Sequence, residues 1–67
     1  MPRIIVQAIT GRTTQQKREL ARRLTDTIVT VWGVDPEIVT IRFEEVPPEN
    51  FARAGLLAVD RPPKERG

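Results

Sequence analysis

Pro2 is the residue whose type and place in the chain could do chemistry. It follows Met1 and leads the apolar run Ile4-Ile5-Val6. A small second residue usually permits removal of the initiator methionine, and the chain would then begin with proline. An N-terminal proline is a secondary amine, a group no other standard residue supplies. In a dry pocket with positive charge nearby, such an amine can be neutral at pH 7 and act as a base. With Met1 retained, the same nitrogen is an amide without basicity. Composition leaves few rivals. The 67 residues include no His and no Cys. That excludes imidazole bases, thiol and Ser-His nucleophiles, disulfides and the usual zinc or haem sites. A base in this chain has to be a carboxylate, a lysine or the N-terminus. No metal and no cofactor is expected.

The charge balance points to an anionic small molecule. Lys and Arg number 11 against 9 acids, a net charge of +2, and nine of the eleven cations are Arg. Arginine offers a planar fork that grips a carboxylate in two places and keeps its charge when partly desolvated. The excess is too small to indicate nucleic acid, and the Arg18/Arg22/Arg23 cluster lacks the interleaved aromatics that stack on bases. No secretory leader and no apolar run near 18 residues is visible, so neither a membrane nor export is expected and the cytoplasm is the default.

These residues must be held by few elements. Arg3 to Ile9 is rich in β-branched types and reads as a strand buried on both faces or nearly so. Thr13 with Gln16 three residues on matches a capping box and starts a helix over 14–32. Leu20, Ala21, Leu24, Ile28, Val31 and Trp32 form its apolar stripe, with Trp32 packing at the helix end. Gly33 stops the helix and Pro36 prevents its continuation. Ile38 to Glu45 reads as a second strand, closed by Pro47-Pro48. Residues 51–55 read as a short turn and 56–59 as a short strand for pairing with a neighbouring chain. Residues 61–67 read as a disordered polar tail beyond a domain of residues 1–60.

Strand, long helix, strand is an α/β unit, a β-α-β crossover with parallel strands. A parallel pair needs cover on both faces, and one helix covers only one. Two strands are also too few to stand alone. A chain of this size buries only about 60% of its unfolded surface, and such a core rarely supplies more than about 3–5 kcal/mol. Without disulfides or metal, self-association is the remaining source of stability.

The chain resembles the 4-oxalocrotonate tautomerase family, N-terminal-proline enzymes of about this size. The resemblance covers about residues 2–60. It rests on Pro2 before an apolar strand, on Gly11-Arg12-Thr13 followed by Gln16-Lys17, on Glu45 closing the second strand and on Phe51 at the next turn. It implies the tautomerase fold, completed by oligomerisation as a hexamer built as a trimer of dimers. It implies enol-keto tautomerisation of 2-hydroxydienoate or 2-oxo acids, a step in aromatic catabolism. Carried over residue by residue, Pro2 is the general base and acid. Arg12 binds and polarises the substrate, and Phe51 is an apolar wall.

Two departures bear on the substrate. The family's second catalytic arginine, on the second strand, stands as Thr40 here, with Arg42 two residues on. The family's Gly-Ile-Gly-Gly turn is Ala52-Arg53-Ala54-Gly55. Arg42 or Arg53 is therefore a candidate replacement, each with the alternative of a solvated surface charge. Divergent members that work as dehalogenases or decarboxylases use an added acid to activate water. Glu44 and Glu45 are available for that, with Glu45 the more structural by its place. A non-catalytic subunit, or a hetero-oligomer whose other chain supplies the arginine, is the competing reading. A ribbon-helix-helix DNA-binding dimer fails because Pro47-Pro48 follows a strand where that fold needs a second helix.

Overall fold

In the computed structural model, which describes residues 1–62, the chain forms two longer strands, one long helix and a small hairpin. Strand β1 is Arg3–Ile9, helix α1 is Thr14–Trp32 and strand β2 is Thr40–Val46. Strands β3, Ala52–Arg53, and β4, Leu56–Leu57, complete the set. Short 3-10 turns lie at Pro36–Ile38, Pro48–Asn50 and Ala58–Asp60. β1 and β2 form one two-stranded sheet and β3 and β4 another. Thr40 N–H donates to Pro2 O at 3.1 Å and Thr10 N–H donates to Val46 O at 2.9 Å. Start meets start and end meets end, so β1 and β2 are parallel. In that register Gln7 and Glu44, 37 residues apart, are direct neighbours.

The residues group into two compact units. One contains Met1–Ile5 and Arg12–Arg42, the other Val6–Gly11 and the chain from Phe43 onward. In the first unit α1 is fixed by its ends. The Thr13 hydroxyl accepts from Gln16 N–H at 3.0 Å, and Gln16 Oε1 accepts from Thr13 N–H at 2.9 Å. Gly33, left-handed at φ 66°, caps the other end and donates to Val29 O at 2.9 Å. Both boundaries are those the sequence predicts, because both signals are local. Thr13→Ala removes one half of the box and is expected to cost about 0.5–2 kcal/mol. Urea melts at one fixed protein concentration would show it as a lower midpoint with an unchanged slope. An unchanged midpoint would mean that α1 does not depend on its cap.

Several expectations fail, for identifiable reasons. β1 alternates between half-buried Ile4, Val6 and Ala8 and exposed Arg3, Ile5 and Gln7. It is not covered on both faces, since side chains alternate across a strand and a single helix cannot serve both. The expected stripe of α1 is only partly covered: Ala21, Leu24 and Ile28 are half-buried, while Leu20, Val31 and Trp32 are exposed. Trp32, at 61% exposure, is not a helix-end packing residue within one chain. β2 begins at Thr40 rather than Ile38. Asp35 instead caps a 3-10 turn, accepting from Glu37 N–H at 2.9 Å.

The basic cluster on α1 is paired along its own helix. Glu19 bridges Arg22 and Arg23, and Asp26 accepts from Arg22 at 3.2 Å. Arg23, then Arg22, hold the Glu19 carboxyl below its ordinary value.

In the second unit, residues 51–57 form a hairpin rather than a turn and a free strand. Ala52 lies opposite Leu57 and Arg53 opposite Leu56, antiparallel. The stretch expected to pair with another chain thus pairs at Leu56–Leu57 within its own. Ala54 and Gly55, with φ of 54° and 79°, make the turn. Two consecutive positive φ values match the twist of a two-residue hairpin. Glycine adopts such a φ without cost, whereas Ala54 is strained there. The turn at Pro48–Asn50 packs on β4 and on the turn at Ala58–Asp60, where Ala58 is buried. Arg61, the expected first residue of the tail, is half-buried. Residues 63–67 of that expected tail lie outside the described residues.

Candidate active site

Among the described residues only Pro2 and Ala58 are buried. Burial of Pro2 is a consequence of strand pairing. Its carbonyl accepts from Thr40 N–H at 3.1 Å and faces the Thr40 hydroxyl at 3.5 Å. Both contacts are made through the carbonyl, so neither engages the nitrogen that removal of Met1 would free. Met1 itself is 90% exposed. Thr40, which the resemblance sets at the position of the family's second arginine, bonds to the Pro2 carbonyl.

Arg12 lies in the connection between β1 and α1, exposed, immediately before the cap residue Thr13. Gly11 precedes it with φ 143°, in the region that favours glycine. The capping box fixes the backbone just after Arg12. The first turn of α1 carries no acid, so its positive end adds to the guanidinium rather than being cancelled. Arg42 is exposed on β2, on the same strand face as Thr40. Pro2, Arg12 and Arg42 all belong to the first unit.

Phe51 and Arg53 belong to the second unit, where both line a cleft of about 580 Å³. Gln7, Glu44, Asn50 and Arg61 contribute its polar groups. Gln7 Nε2 donates to Glu44 Oε1 at 3.2 Å. Half-buried Glu44 therefore faces the cleft, whereas Glu45 is absent from its lining. Of the two candidate replacement arginines, Arg53 shares the cleft with Phe51. Arg61 is a lining residue that no sequence signal marks. Its placement depends on the last 3-10 turn, which its N–H closes on Ala58 O at 3.1 Å, and on Nη2, which donates to Arg53 O at 3.1 Å. Among the described residues no group of three or more His, Cys, Asp or Glu is placed to hold a metal ion, and no helix is long and apolar enough to cross a membrane.

Comparison with known proteins identifies the family. The tautomerase enzyme family model matches residues 2–61. A 2-hydroxymuconate tautomerase of Bacillus subtilis is 33% identical over 60 residues, 90% of this chain and 97% of the relative. The crystal structure of a 4-oxalocrotonate tautomerase homologue superposes with a TM-score of 0.86 at 34% identity, covering 92% of this chain and 98% of that one. A heterohexameric 4-oxalocrotonate tautomerase from Chloroflexus aurantiacus superposes with a TM-score of 0.82 at 30% identity, covering 90% and 97%. A buried proline at the head of β1, an arginine held before α1 and a match over nearly the whole chain lead to one conclusion: the protein belongs to the 4-oxalocrotonate tautomerase family of tautomerase enzymes.

Proposed function

We propose that the protein interconverts enol and keto forms of a small 2-hydroxydienoate or 2-oxo carboxylic acid, with Pro2, freed from Met1, carrying the proton. The observation that carries this reading is the burial of Pro2 at the head of β1, pinned by its carbonyl alone. The neutral amine removes the proton of the enol hydroxyl. The oxygen electrons form the carbonyl, the double bonds shift, and the protonated amine returns the proton to carbon. Arg12 binds the substrate carboxylate and polarises the 2-oxygen as its charge grows, the moment when a fixed cation has most effect. Its charge also favours the neutral amine. The family resemblance assigns Phe51 the role of an apolar wall, and a wall that excludes water would strengthen both effects.

The working form is an oligomer, with a hexamer favoured by family likeness, in the cytoplasm. Exposed Ile5, Val31, Trp32, Phe51 and Leu56 supply apolar surface for it. With Thr40 at the arginine position and a heterohexamer among its structural neighbours, a second chain that supplies the missing arginine is the alternative assembly.

Absorbance of 2-hydroxymuconate and of enol-phenylpyruvate follows the reaction directly, on protein whose intact mass shows Met1 removed. Turnover of either substrate is expected. Inactivity toward both, from folded protein with a free proline, would leave the family fold without this chemistry.

A further inference from the structure

The peptide bond that must break to free the Pro2 amine sits at the start of the strand pair. Met1 stands out of the molecule at 90% exposure, but Pro2, on the other side of that bond, is buried. We propose that, in a chain initiated at Met1, a methionine-specific aminopeptidase removes Met1 only before β1 pairs with β2, and that pairing then locks any remaining Met1 in place. The step is hydrolysis. Water adds its hydroxyl to the Met1 carbonyl carbon and a proton to the Pro2 nitrogen, the amide between them breaks, and free methionine leaves. This order deepens the tautomerase reading above, since folding then fixes the share of chains that carry a base; it rests on that reading for this consequence alone.

Three observations support the order. An aminopeptidase must bring its hydrolytic groups against the Met1 carbonyl and its walls against residue 2, and buried Pro2 cannot enter such a cleft without leaving its place. The next carbonyl along, Pro2 O, is taken by Thr40 N–H at 3.1 Å, with the Thr40 hydroxyl at 3.5 Å. Arg3 begins β1 directly after, so residues 2 and 3 move only when the start of the ladder opens. Both partners lie in the first unit. The third observation is separation along the chain. Thr40 is made 38 residues after Pro2, which is about 2–8 s at a synthesis rate of about 5–20 residues per second. Through that interval β2 does not yet exist, and the bond between Met1 and Pro2 is open to hydrolysis. Once β2 forms, access requires local opening, which carries a free-energy cost even at a strand end.

Full-length protein that retains Met1, made while the cell's aminopeptidase is inhibited, tests the order against a peptide of residues 1–8. A purified methionine aminopeptidase acts on both, and intact mass reads the loss of Met1 without any turnover. The folded protein is expected to lose Met1 at least about tenfold more slowly, the scale of one hydrogen bond together with the burial it closes over. The slowing should match the hydrogen-exchange protection of the Thr40 amide, because one opening exposes both, and it should not change with protein concentration. Thr40→Pro removes the donor at the first residue of β2, a place where a strand tolerates proline. Val39 already has the extended φ of −89° and ψ of 118° that a following proline favours. This variant should speed excision from the folded protein by about two- to tenfold, the scale of one hydrogen bond. If Thr40→Pro loses its helical spectrum, the comparison of protein with peptide and the Thr40 exchange carry the test. Equal rates for protein and peptide, an unprotected Thr40 amide, or a folded Thr40→Pro no faster than the unaltered protein would overturn the order. So would slowing that vanishes on dilution, which would place the protection in a subunit contact. Failure of the tautomerase reading looks different: protein freed of Met1 that turns over neither enol leaves the excision order standing.

Discussion

Pro2→Ala is expected to lower kcat by about 100-fold, with the far-ultraviolet spectrum and the oligomeric mass unchanged. A positioned general acid–base group contributes about 10²–10⁴ in rate. The low end applies because alanine at position 2 still presents a primary amine once Met1 is removed. Retention of Met1 is the harsher change, since it converts the nitrogen to an amide. Specific activity should therefore scale with the fraction of chains whose mass lacks Met1, a second readout independent of any substitution. The pH profile gives a third. The base is the neutral amine, so kcat/KM should rise with pH as the ammonium deprotonates. Ordinary α-amino groups titrate at about 7.7–8.0. A cation held beside it, the role proposed for Arg12, and burial would both disfavour the charged amine, so the midpoint is expected below that range. A Pro2→Ala protein with full kcat, or activity indifferent to Met1, would remove Pro2 from the mechanism.

The parts of this protein legible in its sequence are those set by neighbours in the chain. Thr13 with Gln16, and Gly33 with Pro36, fix α1 because capping acts within one turn. The parallel pairing follows from two strands separated by that helix. What escaped depends on longer-range or rarer geometry. Ala54-Gly55 lacks the Asn-Gly or Asp-Gly that advertises a two-residue hairpin, so β3 and β4 read as a turn and a loose strand. The 3-10 turn at Pro36–Ile38 takes the start of the β-branched run that would otherwise extend β2. Trp32 and Val31 look like core by type yet are exposed in one chain, as surface that a partner subunit covers would be. Arg61 resembles any other cation in a polar terminus until the last turn folds it back onto the Arg53 carbonyl.

Arg12→Ala is expected to reduce kcat by about 10²–10³-fold and to raise KM as well, so that kcat/KM falls by more than kcat alone. Removing one preorganised donor from a developing oxyanion costs on that scale in kcat; losing its grip on the carboxylate raises KM in addition. The substitution should also move the pH midpoint of kcat/KM upward, because the cation that favours the neutral Pro2 amine is gone. A merely structural arginine would not do this. Urea melts supply the control: the capping box is made by Thr13 and Gln16, and a shifted midpoint would separate a folding effect from a catalytic one. Arg12→Lys retains a point charge without the fork. It should restore most of the pH midpoint but little of the orientation-dependent kcat. The decisive comparison is therefore the midpoint against kcat across Arg, Lys and Ala. If both follow charge alone, Arg12 acts as a distant electrostatic influence on Pro2. If kcat falls for Lys while the midpoint recovers, the guanidinium fork touches the substrate oxygen, which is the role the geometry before α1 is suited to.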